Sequence, residues 1–404
     1  MFGKHKAPVK DEMARIQFTD YCVQSVDMHN FIISGGNLED RAMALYTLLQ
    51  KARTLRLPVI ILQAGNAYLT ERPLSSLWRG QIASYDPALD KSATELADLL
   101  TDVGVNALGT DRKVFVLIQL IINILEAIGN PITLRSVLEF PCDRIMIELD
   151  RFVREDIINE SQRRDFVGRF SGAAGECVAD TSRLFSRLKN AWNRQVENKQ
   201  GQSLQATIDQ GGIIAYDLVT DTNSALKELC FADVNLLMQR GEHFLLIVDG
   251  LSIFGKDECH TDTVLMRNHG NISLLYSASD VPQMMLQRDE YFNTLVGGHA
   301  NLVLFRHNNA RSAQKWSDFF GQEWVTLTET SVGKSKENTA FITATHTQST
   351  STRTERHDKF PPERFTNIPE GQGKGFLIDC SGISTRVAQV KMPMIGNEVR
   401  LCLQ

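Results

Sequence analysis

Apolar residues in the first 70 positions follow two different periods. A short apolar run at 30–34 ends in Gly35 and Gly36, and apolar residues then recur every three or four positions through 42–54. The segment PVIIL at 58–62 is again continuously apolar. Continuous short runs predict buried strands of a parallel sheet, and the three-to-four spacing predicts a helix. The pattern therefore predicts a strand–turn–helix–strand unit.

A helical period continues from 91 to 193 with almost no strand signal, which predicts an inserted all-helical domain. The polar segment NKQGQS at 198–203 predicts the linker that leaves it. Strand-like runs then return and alternate with helical patterns, at 212–219, 243–250, 272–279 and 300–307. We predict an α/β fold with a mainly parallel sheet flanked by helices. Its domain would be divided into 1–90 and 201–404 by an all-helical domain at 91–200.

Two C-terminal segments have patterns of their own. Residues 343–357 are polar and rich in Ser and Thr, which predicts a loop or a mobile hairpin. The segment GKGFLIDCSG at 373–382 predicts a last strand.

Composition narrows the class without naming a function. Apolar residues make up 43% and charged residues 23% of the chain, and the net charge is −5. These values are ordinary for a globular protein and do not indicate binding to nucleic acid. A local basic groove is compatible with this overall charge. The seven cysteines include no CxxC pair, which argues against a zinc cluster or disulfide framework and favours a reducing cytosol. The apolar run at 114–128 is too short and too polar to span a bilayer.

The turn after the first strand has the position of a phosphate-binding loop and the wrong residues for one. A Walker A loop has the form G-x-x-x-x-G-K-[ST] between a strand and a helix. With Gly35 as the first glycine, Asp40 replaces the second glycine, Arg41 the lysine and Ala42 the magnesium-binding hydroxyl. Carboxylates are favourable at a helix N-terminus, so Glu39 and Asp40 could fill the anion site themselves. A strand–turn–helix that never bound nucleotide explains the same residues.

The run HFLLIVDG has the form of a Walker B strand, with Asp249 as a weak candidate Mg²⁺ ligand. Gly250 follows where an active ATPase of this class usually has a glutamate. A strand-end carboxylate that caps the next turn is the alternative reading of Asp249.

The order of these segments resembles the type IV (conjugative) coupling proteins of the TraG/TraD kind, in the FtsK/HerA branch of hexameric P-loop ATPases. The resemblance runs from about residue 30 to the C-terminus. It rests on short segments whose sequences are similar to those of the family: VIILQAGNAYL, Tyr85–Asp86–Pro87 with SATELADLL, MRNHGNISLL, SASDVPQM, LFRHNNARSAQKWSDFFG, and FPPERFTNIPEGQGKGFLIDCSG. The helical block falls where that family inserts its all-α domain.

This resemblance implies a RecA-like fold and a set of site residues. Gly35, Gly36, Asp40, Arg41, Ala42 and Asp249 would form a degenerate nucleotide site. Ser279 and Gln283 would be sensor-like, with Ser279 replacing a glutamine, and Arg267 would be a possible trans-arginine. For Arg41 and Arg267, exposed helix arginines are the alternative reading.

The resemblance also implies a place of work. The chain would be a pseudo-ATPase of a bacterial conjugation or type IV secretion apparatus that recruits or gates a DNA or protein substrate. It would lie in the cytoplasm, peripheral at the inner membrane, with secretion proteins, including a membrane-anchored partner, and homo- or hetero-oligomerisation as possible partnerships. The family's N-terminal transmembrane pair is missing from this sequence. The helical block, about 92–193, would be the recognition surface, or else would merely pack on the sheet.

The Walker A residues, the Walker B glutamate and the sensor glutamine are all replaced. Their joint loss favours the absence of a cofactor over bound ATP and Mg²⁺. Two alternatives stay open: an active hexameric DNA-translocating ATPase with atypical motifs, and a non-catalytic structural assembly subunit.

Overall fold

The computed structural model describes residues 13–24, 27–64, 69, 74, 84–192, 201–218, 225–250, 264, 272–281, 292–293, 295–296, 301–335, 345–379 and 386–395. The strands are β1 (Arg15–Gln17), β2 (Phe31–Ser34), β3 (Val59–Gln63), β4 (Ser84–Tyr85), β5 (Gly201–Gln202), β6 (Ile213–Asp217), β7 (Phe244–Asp249), β8 (Ile272–Ala278), β9 (Asn301–Leu304), β10 (Gln322–Ser335), β11 (Thr345–Asp358), β12 (Lys374–Asp379) and β13 (Arg386–Lys391).

The α-helices are α1 (Phe18–Gln24), α2 (Leu38–Thr54), α3 (Ala93–Leu108), α4 (Val114–Ala127), α5 (Leu134–Glu139), α6 (Ile145–Arg154), α7 (Glu160–Arg169), α8 (Val178–Trp192), α9 (Leu204–Asp209), α10 (Ala225–Gln239), α11 (Ala310–Phe320) and α12 (Glu363–Thr366). Short helical turns of other types occur at Cys142–Arg144, Phe170–Ala174 and Gly175–Cys177. Within the described ranges, no helix is long and apolar enough to cross a membrane.

Nine strands form one sheet in the order β1-β13-β12-β9-β2-β8-β7-β3-β6. The strands from β9 to β6 are parallel throughout. Strand β12 runs antiparallel to both β9 and β13, and β1 joins β13 in parallel. The predicted mainly parallel sheet flanked by helices is confirmed.

The sheet separates two hydrophobic clusters, because alternate residues of each buried strand point to opposite faces. On one face, Ile33 and Ile61 pack with α1 and α2. On the other, Ile32 and Ile60 belong to a cluster that runs through α10 and α11 and into helices α3 to α8. The helical segment therefore shares its core with the sheet, and the domain boundaries at 90 and 200 stay a prediction.

The helical segment begins and ends at one place. Strand β4 precedes it, β5 follows it, and the two pair in parallel, Tyr85 with Gln202. The segment 198–203, predicted to be a linker, thus ends in a strand. Beside this pair, Lys91 Nζ lies 2.7 Å from Asp233 Oδ1 in α10, with both side chains almost fully buried.

Two other sequence predictions concern the C-terminal part of the chain, and the first of them needs correction. The strand predicted at 373–382 is β12, but it is not the last, since β13 follows and joins β12 to β1. The segment 343–357 is mostly β11, which pairs with β10 in a separate two-stranded ribbon. Of the two predicted forms of that segment, the hairpin is the one observed.

Candidate functional site

The turn after β2 is shorter than the Walker A pattern requires. Only residues 35–37 separate β2 from α2, and the helix begins at Leu38 instead of the predicted position 42. The Asn37 side chain caps it by accepting a hydrogen bond from the Asp40 N–H at 2.9 Å. Asp40, Arg41 and Ala42 therefore lie in the helix, where a Walker A alignment would place the end of its loop.

The two glycines of the turn are packed against the segment that follows β9. Both have positive φ, 81° at Gly35 and 70° at Gly36. A Cβ on Gly35 would lie 2.7 Å from Arg306 O, and one on Gly36 would lie 2.8 Å from Phe305 Cβ. The Gly36 N–H donates to Arg306 O at 2.7 Å, and the Gly35 N–H donates to Ala278 O at 3.0 Å. Two amides of the turn are thus already bound to backbone carbonyls of the chain.

The Asp40 carboxylate binds a loop near the C-terminus. Its Oδ2 accepts the Gly371 N–H at 2.8 Å and its Oδ1 accepts the Gly373 N–H at 2.9 Å. Asp40 is only 1% exposed. A Cβ on Gly371 would lie 3.4 Å from the Asn37 side-chain nitrogen, so this loop lies against the N-terminal end of α2. The sequence predicted the charge at this position but did not predict its partner.

Arg41 folds back onto the turn. Its Nη1 donates to Gly36 O at 3.0 Å, and the residue is only 6% exposed. Its Nε is buried with no hydrogen-bond partner among the described residues. The alternative reading of Arg41 as an exposed helix arginine is therefore wrong. Ala42 is fully buried in the same helix.

The Walker B-like aspartate reaches the same edge of the sheet as the turn. Asp249 ends β7 and is fully buried, and Ser277 of β8 is its register partner. Strand β8 lies between β2 and β7, and the N–H groups of Gly35 and Gly250 both donate to it, at Ala278 O and Ser277 O. The two candidate motifs therefore flank one strand, at the carboxyl edge where ligands of parallel α/β sheets bind.

Sensor-like Ser279 directly follows β8 at this edge. The residues Gln283 and Arg267 lie outside the part of the chain that the structure describes. Their predicted roles stay predictions.

His307 is a member of the site that the sequence did not reveal. It is 1% exposed, and its Nε2 lies 3.4 Å from Ser34 Oγ at the end of β2. Burial lowers the pKa of His307 from 6.5 to about 4, because the charged imidazolium loses its solvent. The imidazole behind the turn is therefore neutral at pH 7. A lone histidine after an apolar strand gives no sequence signal for this role.

The described part of the chain contains no evident cluster of metal-binding side chains. Within the described ranges, no cluster of three or more His, Cys, Asp or Glu residues could hold an ion. The role of Asp249 as a Mg²⁺ ligand stays a prediction.

A separate cavity of about 990 Å³ lies at the other end of the sheet, between β1, β13, β12 and α12. Lys374 and Lys391 are register partners there, although like charges placed directly opposite destabilise a strand pair. Aspartates are fewer than cations in its lining, which includes Arg15, Arg364, Lys374, Arg386, Lys391, Asp20 and Asp379. We call this surface the basic cleft.

No family profile and no curated protein matches the sequence. Solved structures do match. The unbound bacterial conjugative coupling protein TrwBdeltaN70 gives a TM-score of 0.54 at 12% identity, over 91% of this chain and 85% of that one. The plasmid coupling protein TrwB with a non-hydrolysable ATP analogue, ADPNP, gives 0.54 at 11% identity, over 95% and 94%. VirB4 of Thermoanaerobacter pseudethanolicus gives 0.52 at 10% identity, over 92% and 91%.

The fold is similar to that of the coupling protein TrwB and to that of VirB4. The likeness covers nearly the whole chain, including the helical segment, so it supports the fold that the sequence resemblance implied. At identities of 12% and below, this likeness shows the fold alone. Any chemistry has to be argued from the residues of this chain.

Proposed function

We propose that this chain is a coupling-protein-like component of a conjugation or type IV secretion apparatus that does not hydrolyse ATP. The observation that carries the proposal is the bonding of Asp40. Its carboxylate is held at the N-terminus of α2 by the N–H groups of Gly371 and Gly373. A helix N-terminus is the natural place for a nucleotide phosphate, and this carboxylate and the C-terminal loop lie there instead.

Three physical effects oppose a triphosphate at this turn. The amide of Gly36 already donates to Arg306 O, so it is not available to a phosphate oxygen. Asp40 would add like-charge repulsion of about 1 to 4 kcal/mol per unit charge at 4 Å. Arg41 donates to Gly36 O and would have to leave that bond to reach a phosphate.

Nucleotide binding can be measured by the shift in thermal unfolding with ATP and Mg²⁺. A site with a Kd one hundredth of the ATP concentration would stabilise the fold by about 2.7 kcal/mol. We expect no shift for the natural chain at millimolar ATP. A clear shift that disappears in Asp249→Asn would overturn the proposal.

A repaired turn tests the alignment itself. The variant Asp40→Gly/Arg41→Lys/Ala42→Thr restores the Walker A residues, and Asp40→Gly alone is its control, since both variants lose the bonds to Gly371 and Gly373. ATP stabilisation of the triple variant and not of the control is the expected result. If neither variant binds ATP, the turn is not a nucleotide site that has lost its binding residues.

The second candidate function is an active DNA-translocating ATPase. The burial of Asp249 at the carboxyl edge favours it, since a Walker B aspartate occupies such a strand end. Phosphate release by the natural chain, abolished by Asp249→Asn and unaffected by Asp318→Asn at an exposed position of α11, would support this candidate over the first.

The basic cleft favours a nucleic-acid substrate. Phosphate contacts release counterions, so binding of single-stranded DNA should weaken steeply as salt rises. We expect Arg15→Gln/Lys374→Gln/Lys391→Gln to lose this binding. The matched set Arg135→Gln/Arg144→Gln/Arg164→Gln on the helical segment should retain it.

The reverse result would identify the helical segment as the substrate surface. Absence of DNA binding even at low salt would favour a protein substrate or a structural assembly subunit.

We also propose that the chain works at the cytoplasmic face of the inner membrane, held by a membrane-anchored secretion protein. Co-sedimentation with membranes only when the secretion apparatus is present is the expected result. Equal sedimentation without the apparatus would contradict it.

A further inference from the structure

One stretch of backbone forms a wall of the basic cleft and also closes the turn after β2. Residues 363–373, which we call the wall segment, consist of α12 and the loop that leads to β12. Four of its residues line the cleft together with β1, β12 and β13: Arg364, Asn367, Ile368 and Pro369. Further along, the N–H groups of Gly371 and Gly373 donate to Asp40. The cleft and the turn therefore share this segment.

The two halves of the wall segment are held in different ways. The helical half is held by the core, since Phe365 is 1% exposed and its ring packs edge-on against Phe376, with the centroids 6.1 Å apart. The loop half is held by Asp40, which accepts hydrogen bonds from Gly371 and Gly373. Both glycines have positive φ, 71° and 62°. Glycine has many other conformations open to it, so the carboxylate selects one of them.

Gly373 links the carboxylate to the cations of the cleft. Its carbonyl accepts the Met392 N–H at 2.7 Å, and Met392 directly follows Lys391. A Cβ on Gly373 would lie 2.7 Å from Met43 Sδ and 3.0 Å from Met392 Cβ, so the loop fits tightly between α2 and the end of β13. The next residue, Lys374, is the register partner of Lys391. A displacement of Gly373 would therefore displace the backbone beside both lysines.

The cleft has an uncompensated positive charge at the end next to Gly373. At the far end of the same strand pair, Asp379 lies opposite Arg386, so the two charges offset each other. At the near end, Lys374 lies opposite Lys391, an arrangement that an anion between them would relieve. The cavity of about 990 Å³ is in the size range of small-ligand pockets, about 300 to 1,000 Å³. It therefore suits a few linked phosphate groups and excludes a duplex.

We propose that Asp40 is a positioning residue for the basic cleft, whose ligand is a short run of linked phosphate groups. The lining of the cleft in the described part of the chain does not include Asp40, so the carboxylate acts through the backbone of Gly371 and Gly373. The inference rests on the proposed function in one respect, since it takes the cleft as the substrate site. It adds that the residue standing where Walker A has a glycine shapes that site.

The sign of the effect separates positioning from charge. Asp40 is negative, so by Coulomb's law alone its removal should strengthen the binding of an anion. If Asp40 positions the loop, its removal lowers the population of the binding-competent conformation, and the apparent affinity falls in proportion. Couplings between sites are typically about 5-fold to 150-fold. We expect Asp40→Ala to weaken phosphate binding about tenfold.

Salt dependence gives a second distinction. Removing a cation that contacts a phosphate lowers the slope of log affinity against log salt by about one. Lys374→Gln should therefore lower both the affinity and this slope. Asp40→Ala retains every cation of the cleft, so it should lower the affinity and leave the slope unchanged.

The experiment titrates two probes, a single-stranded oligothymidylate and inorganic tripolyphosphate, into the natural chain and its variants. The control for charge is Glu363→Ala, which removes an exposed carboxylate from the wall segment and should not weaken binding. The control for lost stability is Ile121→Ala, which leaves a cavity at a fully buried position of the helical segment. It should bind both probes as the natural chain does.

A measurement on the natural chain keeps the test valid if Asp40→Ala does not fold. Coupling is reciprocal, so saturating tripolyphosphate should slow hydrogen exchange at Gly371 and Gly373 by a similar factor of about ten. Exchange that bound probe leaves unchanged would overturn the inference, as would unweakened binding by Asp40→Ala or equal weakening by Ile121→Ala.

The two probes separate this inference from the proposed function. Binding of neither probe would overturn the inference together with the nucleic-acid substrate. Asp40-dependent binding of tripolyphosphate without binding of the oligothymidylate would support the inference and contradict only the nucleic-acid substrate. Binding of the oligothymidylate with full affinity in Asp40→Ala would leave that substrate in place and contradict the role of Asp40.

Discussion

The Asp40 carboxylate accepts two backbone hydrogen bonds from residues that are 331 and 333 positions further along the chain. Replacing it with alanine would leave the buried Gly373 N–H, and the Gly371 N–H beside it, without their acceptor. Hydrogen bonds to charged groups contribute about 1.5 to 3 kcal/mol each. We expect Asp40→Ala to lower the free energy of unfolding by about 3 kcal/mol in urea titrations.

The matched control is Asp98→Ala, which removes an exposed carboxylate from the helical segment. It should change the free energy of unfolding by less than about 0.5 kcal/mol. Equal effects of the two substitutions would mean that the bonds of Asp40 do not stabilise the fold.

His307 makes stability depend on pH. Its pKa is about 4 in the folded chain and 6.5 in the unfolded one. Below pH 6.5 the unfolded chain gains a proton that the folded chain does not bind, so stability falls as the pH drops towards 4. Between pH 7.5 and pH 5, this residue should cost the fold about 2 kcal/mol.

The measurement is the free energy of unfolding at both pH values for the natural chain and for His307→Gln. The natural chain should lose about 2 kcal/mol more than the variant over this interval, since other titrating groups are common to both. A difference near zero would show that His307 is solvated in the folded state.

At the scale of residues, the sequence identified the unusual residues of the turn but not the groups that they contact. Asp40 and Arg41 were recognisable as wrong residues for a phosphate loop. Their partners, however, depend on where distant segments return, and neither Gly371 nor Gly36 O could be inferred from spacing. The burial of His307 is a tertiary property for the same reason.

At the scale of elements, the start of α3 is tied to α10 by a buried ion pair. Lys91 meets Asp233, which also accepts a 2.7 Å hydrogen bond from the Tyr85 hydroxyl. Removing one member of a buried pair leaves an uncompensated charge. We expect Lys91→Met to reduce the free energy of unfolding by about 3 kcal/mol.

The combination Lys91→Met/Asp233→Leu/Tyr85→Phe should regain part of that loss, because the Asp233 carboxylate and the Tyr85 hydroxyl are removed together with the Lys91 ammonium. The exposed pair Arg135–Glu139 offers a comparison, and Arg135→Met should have little effect. A triple variant no more stable than the single one would contradict this account.

Element prediction succeeded where the apolar pattern was long or continuous. The strands β2, β3 and β6 to β9 and the helical character of 93–192 were all predicted. The start of α2 was missed because Asn37 caps the helix ahead of its apolar period. Strands β1 and β13 were missed because they are the two outermost strands at one end of the sheet and only one of their residues is buried, so they lack an apolar signal.

For the molecule as a whole, the shared hydrophobic cluster predicts that the helical segment and the sheet unfold together. Ile121 of α4 is fully buried in that cluster. Ile121→Ala should cost about 3 kcal/mol. Hydrogen exchange should then quicken in β3 and β7 as well as in α4.

The control is Val116→Ala on the same helix, where the side chain is 39% exposed. It should leave exchange in the sheet unchanged. If Ile121→Ala quickens exchange only within 93–192, the segment is an autonomous domain, as the boundaries at 90 and 200 suggest.

The strand order has a consequence for biosynthesis. The sheet partners of β2 are β8 and β9, which begin at Ile272 and Asn301. At roughly 5 to 20 residues per second, a ribosome needs about 15 to 50 s to deliver them after β2. Throughout that interval the apolar strand before the turn has both edges open. The nascent polypeptide should therefore depend on chaperones until its last quarter is translated, and messages truncated before Asn301 should yield aggregates.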